Sequence, residues 1–275
     1  MTAAEHQEAS SARAVRPWEV HAVRYATLAA RKSDLFYRYE AYGEPDADVE
    51  MAYYFWILRR DGETIVVDTG FDPAVGARRG RTCVCPPVEA LERLGVDTTT
   101  VSTVVITHFH YDHVGNLDAF PVAEFIVPKR ELEFWTSPLA SRLQFASHVE
   151  AEEIASLRQL AAEGRVRVTE GTEEVLDGVT AVAVGGHSAG QQLTIVSSGG
   201  GDIVLASDAV HFYEELELER PFAVMHDLER MYAAYEVLRG LARDGATVIP
   251  GHDPEVARRY AATGPGPDGI SVVIA

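Results

Sequence analysis

Apolar residues run almost unbroken from Met51 to Leu58, pause at Asp61-Gly62, and resume with the β-branched Thr64 to Val67. A buried strand, a tight turn and a second strand account for that pattern, so residues 51–67 are expected to form a hairpin ending at Asp68-Thr69-Gly70. Glu19 to Ala29 reads as an earlier strand, followed by a polar, Tyr-rich stretch from Arg31 to Glu50. Further on, short apolar runs predict strands at 101–107, 124–127, 166–168, 179–184, 193–197, 203–206, 247–249 and 270–274. Helical spacing appears instead at 86–94, 149–162, 228–243 and 254–262. The GGG at 199–201 lies between two strands and reads as a turn. Many short strands with interspersed helices suggest sheets packed on each other with helices outside. Residues 1–17 read as a poorly ordered polar tail, and the pattern over 18–275 contains no repeat or Pro/Gly-rich linker that would divide it, so one domain is expected.

Composition narrows the function. Of 275 residues, 47% are apolar, enough for a sizeable core, while the net charge of -18 disfavours a nucleic-acid partner. The N-terminal stretch has no apolar core of the kind a signal peptide needs, and no apolar run is long enough to span a membrane, so a cytoplasmic protein with no membrane partner is expected. Cys83 and Cys85 are one residue apart, too few for a structural metal cage and too close for an unstrained disulfide; free thiols are expected.

The chemistry concentrates in Thr107-His108-Phe109-His110-Tyr111-Asp112-His113, directly after a buried strand. His108, His110, Asp112 and His113 are metal-competent side chains at a spacing that can serve two ions. A donor set rich in His and Asp but lacking thiolates suits a hydrolytic metal site with open positions better than a closed structural zinc site. His187, Asp208 and His252 each follow a predicted strand by a few residues and so are candidates to complete two coordination spheres.

The motif HFHYDH followed in order by His187, Asp208 and His252 resembles the dinuclear metallo-β-lactamase superfamily. VVDTG before it and VIPGHDPEV after it resemble the N-acyl homoserine lactonase branch, and the likeness runs over roughly residues 50–260. The resemblance implies an α+β fold, a four-layer αβ/βα sandwich of two mixed β-sheets flanked by helices. It implies one ion on His108, His110 and His187, a second on Asp112, His113 and His252, and Asp208 bridging them. Zn2+ is the default metal, with iron, manganese or cobalt acceptable to the same donors. Asp68 matches a position that supports a His ligand through its second nitrogen.

The implied reaction is the opening of a lactone, an N-acyl homoserine lactone or a related small cyclic ester, by a metal-bridging hydroxide, with Asp112 and His211 as catalytic residues. A thioesterase or glyoxalase-type ester hydrolase is the alternative, although no basic cluster for glutathione is evident. Lactonases commonly carry a substrate-assisting tyrosine three residues after the bridging aspartate; this chain has His211 there, and Tyr213 two residues on. A β-lactamase proper would be exported and often uses a Cys ligand, and an oxygen-reducing diiron member would show Glu in place of His110. A silent scaffold would lack a ligand, and a nuclease fits poorly with the acidic charge. A homodimer is the assembly common among such relatives. Phe134 to His148 is apolar and aromatic without periodicity, suiting either ordinary packing or a wall for an apolar part of the substrate.

Overall fold

A computed structural model describes residues 16–263 and 269–275. The expected tail therefore lies outside the described residues as far as Ala14-Val15; Arg16 ion-pairs with Asp61, and Trp18 is buried. In chain order the strands are β1 Glu19–Arg31, β2 Asp48–Arg60, β3 Glu63–Val67, β4 Thr82–Cys83, β5 Thr103–Val105, β6 Glu124–Pro128 and β7 Val166–Thr169. The rest are β8 Thr172–Leu176, β9 Val179–Ala183, β10 Gln192–Ser198, β11 Gly201–Ser207, β12 Thr247–Pro250, β13 Ala261–Ala262 and β14 Ser271–Val273.

Two mixed sheets result. The first runs β13-β14-β1-β2-β3-β5-β6-β7, with β4 beside β1; it is antiparallel up to the β2–β3 hairpin and parallel from β3 onward. The second runs β12-β11-β10-β9-β8, antiparallel except where β11 meets β12.

Strand β2 shows why the sheets pack face to face. Its even-numbered Ala52, Tyr54, Trp56 and Leu58 join a core with Val179, Val196, Leu205 and Ile249 of the second sheet. Its odd-numbered Tyr53, Phe55 and Ile57 join another core with Leu91 and Leu157 from helices Pro87–Arg93 and Ala151–Ala162. A strand buried on both faces must be apolar at every position, which explains the unbroken run 51–58. On the far side of the second sheet, helix Leu228–Arg243 lays Met231, Ala234, Tyr235 and Leu238 on Leu193 and Val204. Burial of each large side chain there contributes about 1.5–3 kcal/mol. The outcome is the expected αβ/βα sandwich.

The hairpin at 51–67 and the helix at 228–243 fall where expected. Three short helices, Pro73–Arg78, Lys129–Trp135 and Tyr213–Leu218, lie in segments where no helix was expected. Each is two turns or less, too short for a 3.6-residue period to emerge. Strand β8 was also unforeseen, since Glu173 and Glu174 break its apolar pattern. Both cysteines are free thiols, Cys85 buried and Cys83 partly so. Among the described residues, no helix is long and apolar enough to cross a membrane.

Candidate metal centre

The strands β3, β5, β9, β11 and β12 end at one edge of the sandwich, and the loops that leave them carry the candidate ligands. Close packing there demands special backbone. Gly251 hydrogen-bonds to the Ser207 and Val210 carbonyls, and a Cβ on it would meet the Ser207 carbonyl carbon at 2.7 Å. Gly186, at φ +97°, packs so tightly on Met231 that a side chain would collide with its backbone nitrogen at 2.8 Å. These two glycines let the His252 and His187 loops approach their neighbours.

The donor atoms of His108, His110 and His187 lie within 4.8 Å of one another, and so do those of Asp112, His113, Asp208 and His252. All seven side chains are buried. Asp208 sits between the two sets. Its Oδ1 is 3.0 Å from His252 Nε2 and 3.2 Å from His113 Nε2; its Oδ2 is 3.3 Å from His187 Nε2 and 3.8 Å from His108 Nε2.

Most of these rings are held from behind. The Nδ1–H of His252 donates to the Ala52 carbonyl (2.8 Å), that of His187 to the Val224 carbonyl (2.9 Å) and that of His113 to Asp68 (2.7 Å). His108 Nδ1 lies 3.2 Å from the Thr107 hydroxyl. Each such bond fixes the tautomer and turns Nε2 inward as a lone pair. His110 instead presents Nδ1, which lies 2.8 Å from His187 Nε2. Inward-facing His108 Nε2 and His113 Nε2 make no well-aligned hydrogen bond despite complete burial. Buried nitrogens are rarely left without a partner, so converging lone pairs of this kind fit a cation.

Electrostatics agree with that fit at His108, His110 and His187. Burial holds the His108, His110 and His187 pKa values well below the ordinary imidazole range, leaving neutral rings able to ligate. Burial also works against the Asp208 carboxylate, yet the histidines around it hold its pKa well below the usual range. For His113, Asp208 and Asp68 outweigh burial and push its pKa up.

Asp68 is fully buried at the end of β3. Besides His113 it accepts from the Thr107 amide and hydroxyl, each at 2.8 Å. Thr107 in turn lies 2.8 Å from Ser207 Oγ, joining the loop after β5 to β11 across the two sheets.

Glu131 is a supporting residue that sequence reasoning missed. Fully buried on helix Lys129–Trp135, it accepts from the Phe109 amide (3.0 Å), the Gly190 amide (2.5 Å) and Trp135 Nε1 (2.7 Å). It thereby ties the His108–His113 loop to the His187 loop. Burial raises its pKa even against those donors. Nothing in a Lys-Arg-Glu-Leu-Glu helix start marks one glutamate as buried.

A cavity of about 340 Å³ opens onto the cluster, and His110, Asp112, His187 and Asp208 form its floor. Leu28, Leu35, Met51, Phe222 and Val224 make the walls apolar, while Tyr53, Tyr111 and Arg81 add polar groups. Arg81 Nε donates to the Tyr111 hydroxyl at 2.9 Å. Burial raises the Tyr53 phenol to about 12, so it stays protonated and able to donate. Of the aromatic stretch 134–148, only His148 lines this cavity; Phe134 and Trp135 are buried, with Phe134 packed edge-on against Phe145.

His211 lies elsewhere than a substrate-facing donor should. It is fully buried, stacked on Phe222 at 3.6 Å, and Phe222 rather than His211 lines the cavity. Burial lowers its pKa, but Asp208 and Glu215 outweigh that and raise it to about 9. Tyr213 does not take the place either: its ring sits under the Arg259 guanidinium at 3.7 Å, packed against the core between the sheets.

Comparison with known proteins adds an independent line. The description "Metallo-beta-lactamase superfamily" belongs to a family model that matches residues 49–252. An N-acyl homoserine lactonase from a Bacillus species is 25% identical over 230 residues, 78% of this chain and 86% of that protein. A crystal structure of a quorum-quenching N-acyl homoserine lactone lactonase superposes with a TM-score of 0.75 at 22% identity, covering 90% of this chain and 97% of that one. AidC, a dizinc quorum-quenching lactonase with the product N-hexanoyl-L-homoserine, superposes with a TM-score of 0.66 at 18% identity, covering 87% and 90%. At those identities the two structures speak for the fold.

Proposed function

The chain belongs to the metallo-β-lactamase superfamily, and from that premise we propose that it is a dinuclear metal-dependent hydrolase that opens the ring of an N-acyl homoserine lactone or a related small cyclic ester. The observation that carries the reading is Asp208, whose two oxygens face two separate histidine clusters from a position between them. His108, His110 and His187 would hold one divalent ion, and Asp112, His113 and His252 the other, with Asp208 shared. Zinc is the metal we favour, by likeness to the dizinc relative.

Bound divalent ions supply Lewis acidity toward an ester carbonyl and make water nucleophilic near neutral pH. The chain's own residues do the rest. Asp68, Ala52 and Val224 keep His113, His252 and His187 in fixed tautomers, so no reorganisation is needed when charge develops. The apolar walls exclude water from the scissile bond and accept an acyl chain; a 340 Å³ cavity suits a small molecule. Tyr53 and Arg81 offer hydrogen bonds to an amide or to the carboxylate that ring opening creates. Asp112, which lines the cavity, would take the proton released by the attacking water and pass it to the leaving alkoxide.

Metal analysis with a panel of lactones, thioesters and other esters, on native protein and on Asp208→Ala, tests the proposal. About two metals per chain are expected, with lactone opening lost in the variant. Two metals with thioester cleavage and no lactone opening would move the assignment to the thioesterase alternative. No metal and no hydrolysis would end it.

A further inference from the structure

We propose that His211 is an additional donor to the metal ion on the His108, His110 and His187 side, held in place by Glu215 and Tyr235. The inference rests on the dinuclear reading above and extends its ligand set to a residue at which lactonases commonly carry a tyrosine.

The backbone first brings the residue into the shell. Turn hydrogen bonds from Ala209 to Ala206 and from Val210 to Ser207 close the chain after β11, and the His211 carbonyl accepts from the His252 amide at 3.0 Å. His211 is thus fastened to a neighbouring ligand loop. Its ring has no freedom to turn toward substrate, because Phe222 lies flat against it at 3.6 Å and an interplanar angle of 13°. The only open direction for Nε2 is inward. There it stands 3.2 Å from Asp208 Oδ2, the oxygen on the His187 side, and its donor atom lies within 4.8 Å of those of His187 and Asp208.

The rear of the ring, like that of His113, faces a buried carboxylate, but without the aligned hydrogen bond that joins His113 to Asp68. Nδ1 faces Glu215 Oε1 at 3.2 Å, as His113 Nδ1 faces Asp68. Glu215 is fully buried and immobilised: it accepts the His211 and Phe212 amides at 2.7 and 3.0 Å, and the Tyr235 hydroxyl at 2.6 Å. A carboxylate behind an imidazole is the usual outer support of a metal-bound histidine. Both His211 nitrogens, like His108 Nε2 and His113 Nε2, are buried without a well-aligned hydrogen bond. Two acidic groups flank one imidazole whose free nitrogen meets only other ligands. A cation at that point pairs with the carboxylate and the lone pair together.

A purely structural His211 would act as a spacer between Asp208 and Glu215, and metal binding would be indifferent to it. The test is therefore a binding measurement. Metal-free wild type, His211→Phe, which keeps the stack on Phe222, and Glu215→Gln are titrated with cobalt(II) against a chromophoric chelator, and visible spectra are recorded. Wild type is expected to take two ions. In His211→Phe one of the two should bind at least about tenfold more weakly, with a changed cobalt band, while the other is unmoved; Glu215→Gln should shift the same ion by less. Circular dichroism establishes that each variant is folded, and if His211→Phe is not, His211→Asn takes its place. Unchanged affinities and spectra in a folded His211 variant overturn the proposal while leaving the dinuclear reading intact. A wild type that takes fewer than two ions overturns that reading, and this one with it.

Discussion

Replacing Glu131 by Gln changes one buried atom of a side chain that does not line the cavity, yet it should weaken both the fold and the metal site. The carboxylate accepts three N–H groups: Phe109 and Trp135 on one oxygen, Gly190 on the other. An amide of the same shape can keep the first two, but its NH2 then points at the Gly190 N–H. If it flips, it keeps Gly190 and loses the other two. The smaller loss strands one buried amide, at about 1–3 kcal/mol, and weakens two hydrogen bonds that a charged acceptor had strengthened. Relief from burying a charge, visible in the raised Glu131 pKa, offsets part of this. The net cost is on the order of 3 kcal/mol, a fall in Tm of about 6–12 °C for a chain of this size. Because Phe109 lies between His108 and His110, and Gly190 lies three residues after His187, the slack falls on one ligand set. Scanning calorimetry of the metal-free proteins and chelator competition on the loaded ones measure the two effects separately. A Glu131→Gln protein that melts within about 2 °C of wild type and binds metal equally well would refute the idea that this carboxylate joins the two loops.

Three further outcomes are expected. Asp68→Asn removes the charged acceptor behind His113, and metal affinity should drop by about 10–100-fold with little change in secondary structure; equal affinity in a chelator titration would contradict the role assigned to Asp68. Arg81→Met, on the cavity wall, should raise KM for acyl lactones by about tenfold with kcat little altered, as loss of uniform binding does; steady-state kinetics showing an unchanged KM would remove Arg81 from substrate recognition. Glu153 is raised to about 8 by burial, with Glu150 and Asp112 adding to it, and its Oε2 is buried without a partner. Its folded value exceeds the unfolded one of about 4.3, so the folded chain holds the proton more tightly and stability declines as pH climbs between the two. Glu153→Gln lacks that slope and should be the more stable protein at pH 8, by on the order of 2 kcal/mol after allowance for partial exposure; parallel melting curves from pH 5 to 8 would contradict this.

What could be read in advance follows from how far each signal travels along the chain. Strand β2 announced itself because burial on both faces leaves eight successive apolar residues, and the Asp61-Gly62 turn fixed its hairpin partner. Helix Leu228–Arg243 is long enough for Met231, Ala234, Tyr235 and Leu238 to mark one face. The helix at 129–135 has only two turns, and the one at 213–218 even fewer; their key residues are Glu131 and Glu215, which in sequence look like the solvated glutamates of any surface helix. Only the fold reveals that both are fully buried.

The donor set has a similar asymmetry. A histidine that binds a cation needs one nitrogen facing in and an acceptor behind the other, and only the first requirement has a local signature. His108 to His113 are legible because four donors share one loop. The supports of the ligand histidines come from remote parts of the chain: Ala52 behind His252, Val224 behind His187, Asp68 behind His113. The first two have no spacing rule, since backbone carbonyls can be supplied by any residue; Asp68 was legible only through its match to a family position. His211 shows the consequence. Its distance from Asp208 in sequence suggested a partner for substrate, but the ring's direction is set by Phe222 in front and Glu215 behind, and neither role shows in the sequence. The identity of a site residue can thus be visible in one dimension while its role is decided by what closes over it in three.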